Sequence, residues 1–265
     1  MERSHKLQQS TAAMVHRLHL ILSIYEISRL IREKGADVNL KDIDGSTALH
    51  VSRSSTVART LIEHGADVNA KNSRGMSALH RARNVGVAKV LLEHGALVNA
   101  VDNCGNTPLH LCNDTQMVKL LLRHGASITH RNMKGETPIH MSTYGSKVIA
   151  LAKAGADIDS VDDSGKTLLM KKARCFYVFR LLRPLLALNP SVFLKDNDGR
   201  TALDFTVEEG VKAHLIRYGR DQNWRRRKTL ILLREKTRVF VAKEDCVLRT
   251  VGLPTGIFRD VLAFL

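Results

Sequence analysis

The chain has 265 residues, 44% apolar and 25% charged, a balance that excludes a disordered or fibrous polymer and allows a sizeable buried core. Its net charge of +15 divides unevenly: +5 over residues 1–170, +11 over 171–243 and −1 over 244–265. The basic character therefore belongs mainly to the last third, where solubility, an acidic partner or nucleic acid would each explain it.

Residues 1–35, MERSHKLQQSTAAMVHRLHLILSIYEISRLIREKG, hold an apolar run that Arg17, His19 and Glu26 interrupt. No small-residue cleavage site follows, which argues against a secretory signal. No stretch reaches the ~18–20 apolar residues that span a bilayer, so no membrane partner is expected. Cys104, Cys112, Cys175 and Cys246 lie at unrelated spacings without a C-x-x-C pair, which suits a reducing compartment. Cytoplasm or nucleus is the expected location. A helix is expected over Ile27–Lys34.

From residue 42 the chain repeats itself every thirty residues. Glycines recur at Gly45, Gly75, Gly105, Gly135 and Gly165, and again at Gly35, Gly65, Gly95, Gly125 and Gly155, each of the second series followed by Ala. Full copies occupy 42–71, 72–101, 102–131 and 132–161; a longer one runs 162–195 and a partial one 196–219. Each copy reads as a helix pair. Thr47, Ser77, Thr107, Thr137, Thr167 and Thr201 stand where a hydroxyl caps the first helix, and Pro108 and Pro138 follow their caps directly. The first helix is short, as in Ala48–Arg53. The second carries apolar residues at helical spacing, as in Val118, Leu120, Leu121 and Leu122, until the glycine of H-G-A stops it. The following D-V-N-A-x-D-x-x-G suits a hairpin-like finger.

A single unit of this kind cannot bury both faces of its helices, so stacked units must share one core. The motifs, TPLH in particular, resemble those of the ankyrin-repeat family, over residues 10–219. The resemblance implies an all-α ankyrin solenoid of stacked helix pairs with hairpin-like fingers. The period departs from the family's usual thirty-three residues, which predicts a trimmed interhelical turn or a shortened first helix. In copy 162–195, Met170 replaces the histidine, Asn189-Pro190 replace Gly-Ala, and Pro184 is expected to kink or end the helix before it.

Three constellations invite a ligand. Gly165-Lys166-Thr167 are the last letters of a phosphate loop, but its first glycine would fall at Ser160, and Asp157, Asp159, Asp162 and Asp163 would repel phosphate. His50, His80, His110, His140, His64, His94 and His124 are locked to the repeat. Zinc ligands lie about 2.0–2.1 Å from their ion, whereas stacked helices stand roughly 8–10 Å apart, so equivalent histidines do not converge on one metal. The resemblance assigns the TPLH histidine to local hydrogen bonding. The D-x-D-G runs Asp42–Gly45 and Asp196–Gly199 lack the remaining acids of a calcium loop. No catalytic motif, metal site or cofactor is expected, and the chain is read as non-enzymatic.

The family's partners dock on finger tips and on the exposed side of the first helix. Here the fingers present Ile43, Arg74, Asn103, Met133 and Lys134, and the position after the histidine presents Val51, Arg81, Leu111, Met141 and Lys171.

The repeat pattern stops at Gly219, and residues 220–265 read as a basic helical extension. Trp224 precedes Arg225-Arg226-Arg227-Lys228, either a nuclear-import or anion patch or the solvated face of a packed helix. Apart from Trp224, the aromatics that nucleic-acid binding requires are scarce, so nucleic acid is not the favoured partner. Leu253, Pro254, Ile257, Phe258, Val261, Leu262 and Leu265 form an apolar helical stripe. Their L-P-x-x-Φ-Φ-x-x-Φ-Φ pattern (Φ apolar) resembles an F-box-like or SOCS-box-like helix, which implies recruitment of cullin ubiquitin-ligase components; the alternative is a helix that packs on its own domain. Three functions follow: an interaction scaffold for another protein, a ligase substrate adaptor, and a nuclear regulator.

Overall fold

The computed structural model describes residues 37–173, 179–207 and 209–222. Contacts divide the chain into two units, residues 1–215 and 216–265. The helix expected over Ile27–Lys34 lies outside the described residues.

In the first unit each copy begins with a tight turn. In copy 42–71 the Gly45 N–H donates to Asp42 O (2.9 Å), the Asp42 N–H donates to Ser46 O (2.9 Å), and Asp42 Oδ1 accepts from the N–H groups of Asp44 and Ser46. The D-x-D-G run is therefore a closed turn whose aspartate is occupied by backbone. Short first helices follow: α1 (Ala48–Val51), α3 (Ala78–Arg81) and α5 (Pro108–Leu111). Helix α1 stops two residues before the expected Arg53, because Ser52 turns away at φ −58°, ψ 128°. In copy 132–161 residues 138–141 make only a turn. The first helices α1, α3 and α5 are four residues long, and only residues 52–54 separate α1 from α2, so both the helix and the turn are short.

The second helices are α2 (Ser55–Glu63), α4 (Val85–Glu93), α6 (Thr115–Arg123) and α7 (Gly145–Lys153). Copy 162–195 supplies α8 (Leu168–Ala173) and α9 (Phe179–Ala187), and a 3-10 helix (Ala202–Phe205) opens the last copy. Among the described residues there is no strand. Pro184 does not end its helix: α9 runs on to Ala187. The lost hydrogen bond is offset because Leu185 and Leu186, beyond the proline, are buried. Asn189 takes the left-handed conformation at φ +61°, as a helix-terminating residue does.

Successive second helices pack on one another, α2 on α4, α4 on α6, α6 on α7 and α7 on α9, while α1 packs on α3 and α3 on α5. The core is a set of columns with the period of the sequence. Leu49, Leu79, Leu109, Ile139 and Leu169 form one; Leu61, Leu91, Leu121 and Leu151 form another; all are buried. Each such side chain contributes about 1.5–3 kcal/mol of burial, which no copy realises without its neighbours.

Polar rungs run beside the core. Asn39 donates to Gly65 O (3.0 Å) and accepts the Asp67 N–H (2.8 Å); Asn69 and Asn99 do the same one and two copies on. Residues 209–215 end the first unit as a helix with Val211 and Leu215 buried. The described part of the second unit, 216–222, is helical.

Candidate partner-binding surface

Each finger tip donates a backbone bond to the one before: Ser73 N–H to Asp44 O, Asn103 to Arg74 O, Met133 to Cys104 O, Asp163 to Lys134 O and Asn197 to Ser164 O, all at 2.9–3.1 Å. The tips are thus fixed, and their side chains project from a hydrogen-bonded edge. Ile43 is fully exposed and Met133 is 74% exposed, while Arg74, Asn103 and Lys134 are exposed polar groups. The Asn103 amide donates to Ser73 O at 3.0 Å, so it serves the edge itself.

The column after the histidine is less open. Val51, Leu111 and Met141 are half-buried. Arg81 is exposed and donates to Ser46 Oγ at 3.1 Å. Lys171 pairs with Glu136 and, at 3.1 Å, with Asp162. Burial pushes the Glu136 carboxyl up, but the Lys171 ammonium and the Asn132 amide outweigh it and the net shift is downward. Asp162 behaves alike: burial raises it, and the Lys166 N–H with Lys171 brings it below its ordinary value. Lys171 is therefore a strut between copies as well as a surface cation.

The histidines hold this column in register. The Thr47 N–H donates to His50 Nδ1 (3.1 Å), so Nδ1 carries no proton, and the Thr47 hydroxyl lies 2.9 Å from the same nitrogen. His50 Nε2 then donates to Met76 O, 3.0 Å away in the next copy. His80 and His110 repeat the arrangement toward Asn106 and Glu136 of the next copy, whereas His140 Nε2 donates to Ser160 O of its own copy. Both ring nitrogens are occupied by the fold. Burial lowers the pKa of all four, His110 to about 4. In copy 162–195, where Met170 replaces the histidine, Thr167 Oγ1 accepts the Met170 N–H directly at 3.3 Å. Lys166, the lysine of the apparent phosphate loop, stands over the Phe205 ring at 5.5 Å.

Three exposed side chains and one buried one were not singled out from sequence. Arg53, Arg83 and Tyr144 are exposed at the interhelical turns. Comparing positions thirty apart would have shown Arg53 and Arg83 against Asn113 and Thr143. Lys147 is fully buried in a slot held elsewhere by Val57, Val87 and Met117, and its ammonium donates to His110 O at 2.8 Å. Burial lowers its pKa to about 8. Arg225–Lys228 and Leu253–Leu265 lie outside the described residues. Among the described residues no helix is long and apolar enough to cross a membrane.

A row of short helix pairs joined by tight fingers, sharing one core and tied by histidine and asparagine rungs, defines a helical repeat protein. The sequence model of ankyrin repeats (three copies) matches residues 18–102 and 84–162, and the chain belongs to the ankyrin-repeat family. Domains of this class are protein–protein interaction scaffolds. Among solved structures, the human ASB11 ankyrin repeat domain aligns at a TM-score of 0.64 and 22% identity over 75% of this chain and 98% of its own. The ankyrin repeat domain of Bcl-3, described as a unique member of the IkappaB protein family, aligns at 0.58 and 24% over 80% and 97%. Both share the fold. No curated protein matches the chain.

Proposed function

We propose that this scaffold binds its partner protein through the finger tips and first helices, with Ile43, Val51, Arg74, Arg81, Asn103, Leu111, Met133, Lys134, Met141 and Lys171 as the candidate contacts. One observation carries the reading: Ile43 and Met133 hold large apolar side chains in water on turns that the backbone edge keeps fixed. Such anchors gain burial on docking while little backbone order is lost. The chain carries out no catalysis in this reading, works in the cytoplasm or nucleus, and divides at residues 10–219 and 220–265. Replacing both anchors (Ile43→Asp, Met133→Asp) should remove the captured partner in quantitative affinity purification and leave far-UV circular dichroism unchanged. Unaltered capture would sink the finger-tip assignment.

The apolar stripe of Leu253–Leu265 favours a second reading, in which that segment recruits cullin ligase components to a bound substrate. Cullin captured by the full chain and lost from a chain ending at Thr250 would support it; no cullin with either would remove it. Arg225–Lys228 supports import into the nucleus, and Ala at those four positions should abolish nuclear accumulation.

A further inference from the structure

We infer that copy 132–161 is where the row yields: its helix pair, residues 138–153, opens locally without unfolding the copies before it. An interior copy has a neighbour on each side and is expected to be among the best protected parts of a stacked row. The apolar columns do run through this copy, since Ile139, Val148 and Leu151 are buried. Its departures from the neighbouring copies are polar, and four of them coincide.

The asparagine rung is missing on the side of copy 102–131. Asn39, Asn69 and Asn99 each bind a glycine carbonyl and an N–H of the copy that follows, but Thr129, thirty residues beyond Asn99, makes no bond to Gly155 O or to the Asp157 N–H. Helix α7 begins without a cap. Asn84 and Asp114 accept the Gly86 and Met117 N–H groups at 2.7 and 2.8 Å, whereas Tyr144 in the same position accepts none and is 59% exposed. Lys147 fills the slot of Val57, Val87 and Met117, and its fully buried ammonium, with three protons to donate, has His110 O as its single acceptor. The tie to copy 162–195 is also reduced, because His140 Nε2 bonds Ser160 O at 2.9 Å inside its own copy, while His50, His80 and His110 reach the next one.

These differences lower the cost of opening. Parting the helices returns the Lys147 ammonium to water and relieves the desolvation that folding imposes on it, whereas Val87 and Met117 would only lose burial. The bond from Thr143 Oγ1 to Asn113 Oδ1 at 3.0 Å lies in the open, where water replaces it. The finger edge is intact: the Met133 N–H donates to Cys104 O, the Asp163 N–H to Lys134 O, and the Arg131 guanidinium to Val161 O at 2.9 Å. Opening is therefore confined to the helix side. Elements of low local stability are those that adjust on binding, and this copy carries Met133, Lys134 and Met141 of the candidate contacts, a consequence that rests on the scaffold reading above.

The test is amide hydrogen exchange of the full chain, read by mass spectrometry on peptides spanning 78–93, 108–123 and 138–153. After correction for intrinsic rates, 138–153 should exchange at least about tenfold faster than the other two, with a shallower dependence on low urea, as local opening requires. The variant Thr129→Asn/Tyr144→Asp/Lys147→Met puts back the residue types of Asn99, Asp114 and Met117, and should slow exchange in 138–153 at least about tenfold. If circular dichroism shows that variant unfolded, Lys147→Met alone should slow it at least about threefold. Protection of 138–153 equal to that of the other peptides, a urea dependence as steep as that of global unfolding, or fast exchange that the substitutions leave unchanged would each overturn the proposal. No partner enters the measurement, so this inference and the finger-tip assignment fail separately.

Discussion

His110 is a ring that titrates near 6.5 in water and is held neutral by burial, its pKa lowered to about 4. The unfolded chain therefore takes up the proton more readily than the folded one. The stability tied to this group is complete above about 6.5 and is lost as pH falls toward 4, on the order of 3 kcal/mol for a shift of this size. In urea unfolding followed between pH 7 and 4, the acid loss of stability should be smaller in His110→Gln than in the unsubstituted chain. Identical slopes would show that His110 does not titrate there. Lys147 sets the opposite limb. Its amine falls to about 8 from 10.5, so the unfolded chain again binds the proton more tightly and stability rises as pH climbs from 8 to 10.5. Lys147→Met removes a buried charge and one bond to His110 O. We expect a gain of about 1 kcal/mol at pH 7 that vanishes or reverses above pH 10, once the wild-type amine is neutral and still donates. A variant that tracks the wild type at every pH would refute the buried charge. The lysine itself was visible in the sequence; that it lies inside was not, because its ammonium is held by His110 O, thirty-seven residues away in the chain.

At the scale of elements, the finger turn and the helix-ending turn use glycine for different reasons. Gly65 has φ +88° and open space around a built Cβ, so its need is conformational alone. Gly45 has φ +70°, and a Cβ there would stand 2.9 Å from Ser73 N of the next finger. Gly65→Ala should therefore cost about 1 kcal/mol and Gly45→Ala clearly more, read as melting temperatures. Equal losses would mean that the finger edge yields freely. Both turns were legible from the period of glycine, since a left-handed turn is a local demand. The stop of α1 at Val51 and the passage of α9 through Pro184 were not legible. That helix survives because leucines beyond the proline are buried against other elements, a gain that local propensity does not contain.

Within the first unit, stability is carried from copy to copy, by core columns and by the bonds of His50, His80 and His110, each of which spans one junction. Backbone carbonyls accept those bonds, so the rung does not depend on which copy follows. A chain lacking residues 102–131 should keep its ellipticity per residue and unfold at a lower urea concentration, as nearest-neighbour stacking requires. Loss of the helical signal would contradict such stacking. The sequence by itself determined the period, the turns, the caps and the buried columns, because each is set by residues three, four or thirty apart that repeat identically. The tertiary structure alone decided which charges are matched. Lys171 finds Glu136 and Asp162, Lys147 is enclosed, and Arg53, Arg81 and Arg83 are left without an acid. Charge pairing depends on side chains meeting across copies at a few ångströms, and a linear pattern does not specify that distance.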